Sequence, residues 1–479
     1  MGSAGPAKMD FTSFYNTIDG KLTTTSATRH GINPANKKPN AEVPVSTQAD
    51  LDNAVAAARI AFNKWSKTTF EERRKALHGY ADGVEYYKED FAHLLVAEQG
   101  KPLDQARGEV GAAVSFLRAL SSLSMNEEVL EDTETHKIIG RYTPIGVAGG
   151  IVPWNYPVLL ACGKIASAIY TGNSLIVKPS PFTPYCSLKL GELGLQYFPP
   201  GVLQVLSGGD DLGPMMTAHS GIDKISFTGS IATGKKVMES CAKTLKRVTL
   251  ELGGNDAAVV CEDVDLEEVV PKIVQACFYC SSQICMMIKR LYVHEKIYDQ
   301  FRDALVKHTA ALKMGEGHEP DAFIGPIQNN MQYEQVKSLI KAIKKEGAKP
   351  ILGGEVEESE GYFIKPTIVD NPPDISLAVT EEPFGPVLPL LRWSDEDDVI
   401  TRANDSKMGL GASVWSKDLV RAERIVRQFD SGVAWINSHF NISPNVPFGG
   451  HKWSGIGTEF GLNGLKEYCN HQSLWLAKK

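Results

Sequence analysis

From residue 146 onward the sequence alternates short apolar runs with longer amphipathic stretches. Extended runs fall at 146–152, 174–177, 202–206, 224–227 and 247–250, and helical patterns fill 157–170, 184–197, 212–218 and 232–243. Strands recurring with helices between them predict a parallel sheet, because a parallel neighbour is reached only through a right-handed crossover. Such a sheet binds ligands beyond the carboxyl ends of its strands. PWNYP (153–157), KPSPFTP (178–184), SGG (207–209), FTGS (227–230) and ELGG (251–254) each follow a strand. A second alternation has extended runs at 256–260, 290–293, 386–392, 411–415 and 433–437, with helical patterns from Leu266, at 296–312 and in DLVRAERIVRQF (418–429). The expected fold class is therefore α/β, with two such units meeting near Gly253 and Gly254.

Ahead of this, a polar lead-in gives way to helical periodicity over 47–97 and in EVGAAVSFLRAL (109–120). THKIIGRYTP (135–144) reads as a short extended arm and HQSLWLAKK (471–479) as an edge strand. MGSAGPAK, before Met9, reads as a cloning remnant. A chain of 479 residues exceeds a single core and predicts two or three domains. Net charge is −7 with both signs interspersed, which directs attention to neither nucleic acid nor an anionic membrane. The most apolar region, 147–170, is interrupted by Pro153, Asn155, Pro157 and Lys164 and is not a membrane span. With no secretion signal, the eight cysteines read as reduced thiols in a cytoplasmic protein, most of them core residues.

The chemistry concentrates in CFYCSSQICMMIKR (277–290), where Cys285 follows Gln283 by two residues, and in ELGG, where Glu251 lies 34 residues earlier (285 − 251). Cys277, Cys280 and Cys285 have the spacing C-x2-C-x4-C, but no second pair follows and His294 is isolated, so no metal site is expected. FTGSIATG (227–234) suits a pyrophosphate at a helix N-terminus, and equally an ordinary capped turn. Lys178 suits a ribose or phosphate contact, and equally a solvated turn. Oxidising an aldehyde requires a nucleophile that makes the carbonyl carbon a hydride donor, donors for the resulting oxyanion, a base for hydrolysis and an external hydride acceptor. Cys285, Asn155, Glu251 and a dinucleotide-binding sheet meet these needs, although no spacing rule assembles them.

PWNYP, VKPS, FTGS, LELGG, SSQIC, EEPFGPV (381–387) and PFGGHKWSGIGTE (447–459) together resemble, in order and spacing, the motif series of the hydrolytic aldehyde dehydrogenase superfamily. The resemblance spans essentially the whole chain. It implies a Rossmann-type cofactor domain at 9–124 and 145–253 and a second α/β catalytic domain at 254–455. It also implies a small β oligomerisation arm at 125–144 with a C-terminal segment at 456–479, the arm pairing with a partner subunit's C-terminal strand in a homodimer or homotetramer. Carried over by position, Cys285 is the nucleophile, Asn155 the oxyanion donor and Glu251 the general base, with Lys164 and Glu459 in proton handling. Ile151, Trp154, Lys178, Ser180, Gly208, Gly229, Ser230, Glu382 and Phe384 face the cofactor.

The same resemblance assigns Tyr156, Leu159, Leu160, Gly163, Tyr279, Ile284, Met286, Phe440, Ile442 and Phe448 to the substrate wall. Gly163 stands where several relatives carry a bulky aromatic, which implies a wider tunnel. With neither arginine nor carboxylate among these positions, a medium or bulky apolar aldehyde, aliphatic or aromatic, is expected, oxidised through a thiohemiacetal and a thioester. NAD is the expected cofactor. NADP stays open, because Pro181 occupies a position where many NAD-preferring members have glutamate. The family motif usually reads N-x-G-Q-x-C, whereas here Cys280 replaces the asparagine and Ser282 the glycine. Glycine is needed where φ is positive or a backbone passes closely, so serine there is expected to strain or shift the Cys285 loop. Two alternatives remain: a CoA-acylating dehydrogenase and a catalytically impaired nucleotide-binding relative.

Overall fold

A computed structural model describes residues 6–478, so residues 1–5, within the expected N-terminal remnant, and Lys479 lie outside the described residues. The first alternation forms a sheet centred on Val147–Ile151, a strand buried at every position. Ser174–Lys178 pairs on one side of it and Lys224–Thr228 on the other, with Leu203–Val205 and Arg247–Glu251 outside them. These five strands are parallel, and their spatial order is third, second, first, fourth, fifth. The winding therefore reverses between Val147–Ile151 and Lys224–Thr228, and a ligand crevice opens at the carboxyl ends of strands at such a reversal.

Antiparallel additions finish both edges: Asn16–Ile18 and Lys21–Thr23 on one, and Gly455–Ile456, paired with Leu250 and Glu251, on the other. The polar lead-in thus contains strands, including the Thr28–Ile32 and Pro39–Pro44 pair, that periodicity did not reveal. Segments such as NTI and KLT are too short to carry an alternation. Pro157–Tyr170 follows the central strand with proline in its first turn and is buried at every position except Leu160, as expected for a helix apolar all round. It packs against Leu103–Leu120.

The second sheet runs in the order Pro350–Leu352, Thr367–Asp370, Val387–Trp393, Ile288–His294, Asp256–Val260, Gly411–Trp415, Val433–Ile436. All neighbours are parallel except the Pro350–Leu352 edge. Among the described residues, no helix is long and apolar enough to cross a membrane.

His136–Pro144 pairs antiparallel with Cys469–Ala477 in unbroken register from His136↔Ala477 to Pro144↔Cys469, and Glu128–Asp132 lies outside them. This corrects the expected pairing of the arm with a partner's C-terminal strand, since the chain's own strand fills that place. Ile145 N donates to Tyr468 O at 3.4 Å where both strands leave the body, so they emerge side by side. Trp475 stacks on His136 with centroids 5.0 Å apart.

Candidate active site

The loop carrying Cys285 begins where the helix Leu266–Phe278 stops. Cys280, Ser281 and Ser282 then take φ values of +52°, +55° and +62°, three successive left-handed residues none of which is glycine. Each such residue costs about 1–2 kcal/mol and persists only where its surroundings over-determine it. Here Gln105 Oε1 accepts from Cys280 N (3.1 Å) and Ser281 Oγ donates to Gly325 O (2.7 Å). The Gln283 amide donates to Cys280 O (3.0 Å) and Pro326 O (3.2 Å), while its oxygen accepts from Gln328 N (2.9 Å). Position 282 is therefore one that favours glycine, and its serine is accommodated at the cost of strain. The Cys280 thiol is buried, 3.8 Å from Gln99 Nε2.

Two glycines explain how this loop reaches the first sheet. A Cβ on Gly254 would lie 2.5 Å from Cys285 O, and one on Gly253 would lie 2.2 Å from Glu382 Oε2. Only bare backbone lets the loop and Glu382 close on the strand that ends in Glu251. Seven of the chain's eight cysteines are buried and Cys285 is half-buried. Its apolar surround pushes the thiol up to about 12. Lys289 pulls it down, while Glu382, Asp256 and Glu251 push it up.

Asn155 Nδ2 donates to Gln283 O at 2.8 Å, which joins the end of the central strand to the Cys285 loop. Its main-chain oxygen accepts from Lys101 Nζ at 2.9 Å. Lys101 pairs with Glu109 at 2.5 Å, both side chains fully buried, and lies 3.6 Å from the Tyr156 ring centroid. Glu109 Oε1 accepts from Val158 N (2.8 Å) and Leu159 N (3.2 Å), tying off the first turn of Pro157–Tyr170. Sequence reasoning missed this pair. The stretch between them, PLDQARG, carries further charges and gives no signal that sets this pair apart.

Both carboxyl oxygens of Glu251 are buried with no hydrogen-bond partner among the described residues. Burial raises this group well above the carboxylate range; the charge of Glu459 adds to the rise and Lys164 opposes it. Lys164 is ion-paired with Glu459 and donates to Ser226 Oγ (2.8 Å) and Thr228 Oγ1 (3.0 Å). Ser226 Oγ in turn donates to Glu459 at 2.6 Å.

The expected cofactor residues gather at one end of the first sheet. Ile151 ends the central strand and Trp154 follows it, and Gly229 and Ser230 follow its neighbour across the winding reversal. Lys178 ends the adjacent strand and Ser180 follows it, and Gly208 follows the next. Gly229 N donates to Glu251 O at 3.0 Å, and Ser230 Oγ accepts from Thr233 N at 3.2 Å to cap Ile231–Ala242. Lys178 is buried, donates to Pro179 O at 3.0 Å, and is lowered by burial to about 8, with Asp210 opposing. Phe384 meets Trp154 edge-on at 5.2 Å, so the Glu382–Phe384 segment approaches the same end from the second sheet. A reversal crevice, a capped helix N-terminus and a buried lysine together fit a dinucleotide.

Tyr156, Leu159, Leu160, Tyr279, Ile284, Met286, Phe440, Ile442 and Phe448 belong with Cys285 to one apolar cluster. Gly163 does not widen it. A Cβ there would meet the Phe460 ring at 2.7 Å, so that ring takes up the space a side chain would have filled. Phe460 is 3% exposed and packs edge-on against Phe116 (4.8 Å) and near Phe448 (6.2 Å). Neither Phe460 nor Phe116 was singled out from sequence, although Phe460 directly follows Glu459.

Residues 22–474 match the model of the Aldehyde dehydrogenase family. The chain is 41% identical over 470 residues to putative aldehyde dehydrogenase FUS7 of Gibberella fujikuroi, covering 98% of this chain and 100% of that protein. It is 41% identical over 472 residues to aldehyde dehydrogenase LUC3 of a Fusarium species, at 98% and 100% coverage. The NAD+ complex of an aldehyde dehydrogenase from Bacillus cereus superposes with a TM-score of 0.95 at 35% identity, covering 97% of each chain.

Proposed function

Because the chain belongs to the aldehyde dehydrogenase family, we propose that it oxidises a medium or bulky apolar aldehyde, aliphatic or aromatic, to its carboxylic acid with NAD+. The observation that carries this reading is the meeting of Cys285, Asn155 and Glu251 beneath a reversal crevice and against an apolar cluster. Cys285 Sγ adds to the aldehyde carbon once its proton has left. In this reading the second Asn155 amide hydrogen and the Cys285 N–H donate to the oxyanion so formed and stabilise its charge as it develops. When bound, NAD+ supplies what the chain lacks, an acceptor for the hydride that leaves the carbon as the oxyanion collapses to a thioester. Glu251, whose oxygens have no partner among the described residues, then takes a proton from water as the water oxygen bonds to the thioester carbon. The C–S bond breaks to release the acid, and Glu251 returns the proton to the Cys285 thiolate. For Glu251 to accept the proton it must first ionise. The Lys164 ammonium favours that, and the Lys164–Glu459–Ser226 network offers the proton a way out.

In this reading Trp154, Lys178 and Ser230 hold the adenosine and pyrophosphate half of the cofactor, and Glu382 and Phe384 the nicotinamide half. Segments 9–124 and 145–253 act as the cofactor domain and 254–455 as the catalytic domain. Segments 125–144 and 456–479 form an oligomerisation arm, which presents Val129, Leu130 and Trp475 to solvent. Pro181 leaves the ribose end without a carboxylate, which keeps a 2′-phosphate admissible and NADP+ in play. The test is turnover of a graded aldehyde panel with NAD+ and with NADP+, read as reduced nicotinamide absorbance, beside a Cys285→Ala control. Turnover that survives in the control, or a preference for short charged aldehydes, overturns the reading.

A further inference from the structure

Lys289 lies four residues after Cys285, its side chain wholly buried, and the chemistry above does not use it. Its ammonium donates to Gly254 O at 2.8 Å and Cys285 O at 2.5 Å, and pairs with Glu382 Oε1 at 3.1 Å. Those partners belong to three segments: the turn after Glu251, the nucleophile loop and EEPFGPV. A buried charge is costly unless compensated, so its partners are informative.

The neighbouring groups leave Glu382 as the counter-charge. Asp256 is buried, with His439 Nε2 3.8 Å from its Oδ2, and burial raises it to about 8 against the opposing pull of Lys289 and the Gly411 N–H, so it is largely neutral at pH 7. Burial lowers His439 to about 3, and it is held neutral between Met286 O and Ser413 Oγ. The Arg290 guanidinium is spent on the carbonyls of Asn255, Arg402 and Ala403. Glu251 is raised far above the carboxylate range. Among the groups facing the thiol, Lys289 favours its ionised form, and Glu382, Asp256 and Glu251 oppose it.

We propose that Lys289 is a positioning residue that clamps the main chain of Cys285 to Gly254 and conveys the position of Glu382 to the thiol. The proposal rests on the reading of Cys285 as nucleophile and Glu382 as the ribose-side carboxylate. While Glu382 lies on Lys289 and on the Gly254 N–H (3.2 Å), its charge cancels the ammonium's. When Glu382 engages the cofactor's ribose hydroxyls, the ammonium stays fixed by its two carbonyls. Its field then acts on the sulfur, and the thiol proton leaves to water.

The test is the rate of Cys285 alkylation by iodoacetamide across pH, with and without NAD+, with labelling located by peptide mass. Wild type, Lys289→Met, Lys289→Arg and Glu382→Gln are compared, and Cys285→Ala serves as the site control. In the wild type, NAD+ should lower the pH midpoint. Lys289→Met should raise the midpoint, cut the rate at pH 7 about tenfold and abolish the NAD+ response. Lys289→Arg should retain part of that response, and Glu382→Gln should show the lowered midpoint without NAD+. A Lys289→Met protein with the wild-type midpoint and NAD+ response overturns the proposal. So does a Glu382→Gln protein that keeps the unliganded wild-type midpoint, which decides the matter even where Lys289→Met does not fold. If turnover survives in Cys285→Ala, the nucleophile assignment itself fails. If Cys285 is the labelled, essential thiol and its profile is unmoved in the variants, only the role of Lys289 fails.

Discussion

Replacing Ser282 with glycine should stabilise the nucleophile loop. Ser282 is held at φ +62°, a conformation that costs a residue with a Cβ about 1–2 kcal/mol and glycine almost nothing. Against that gain, glycine frees the unfolded chain by roughly 0.5–1 kcal/mol. The balance favours Ser282→Gly by about 0.5–1 kcal/mol, a two- to fivefold fall in local opening. Ser281 supplies the internal control. Its φ of +55° promises the same relief, but its Oγ donates to Gly325 O at 2.7 Å in a buried setting. Losing that bond costs about 1 kcal/mol, so Ser281→Gly should come out near neutral. Hydrogen exchange of the amides from 279 to 287 reads both effects, and turnover shows whether Cys285 stays in place. Ser282→Gly exchanging as fast as wild type, or Ser281→Gly matching its protection, would refute the strain argument.

Gly254→Ala puts a Cβ 2.5 Å from Cys285 O, and displacing the nucleophile by even about 1 Å should lower kcat/KM about 100-fold while circular dichroism stays unchanged. Phe460→Leu removes ring atoms beside Gly163, so kcat/KM should rise for bulkier aldehydes relative to smaller ones; an unchanged ratio across the panel argues against that wall. Lys178, lowered to about 8 by burial, carries its charge below that pH and loses it above. A cofactor contact made by the ammonium therefore weakens as pH rises through about 8, so KM for NAD+ should climb there in wild type and stay flat in Lys178→Met.

The segments legible in the sequence are those whose burial follows from their own pattern. Asp256–Val260 and Gly411–Trp415 are short runs dominated by small and apolar residues, and Pro157–Tyr170 is bounded by a proline and by the polar turn after Tyr170. What stayed hidden depends on partners distant in sequence. Lys101, Glu109 and Lys289 look like surface charges until folding buries the two lysines against main-chain carbonyls and Glu109 against the N–H groups of Val158 and Leu159. Phe460 looks like one more core aromatic, because only the backbone shows that its ring occupies the room left by Gly163. The arm's pairing failed for a related reason: an edge-strand pattern marks an unpaired ladder without saying which chain supplies its partner. The strain at Ser282 could be anticipated from one motif position, but the left-handed turns at Cys280 and Ser281 beside it could not.

The segment from Pro447 to Ala477 touches almost every part of this machinery. It borders Leu250 and Glu251 through Gly455–Ile456, supplies Glu459 to Lys164 across 295 positions, places Phe460 against Gly163, and ends in the arm. On the ribosome it follows every other contributor to the site. Loop closure over such a separation comes late, because its entropy is lost before any contact rewards it. The nascent protein thus carries its cysteine through synthesis without the Lys164–Glu459 pair, to which the proposed mechanism gives the proton's exit. Under the proposed mechanism the site is complete only once this segment has docked, and a chain cut before Pro447 should show no aldehyde turnover.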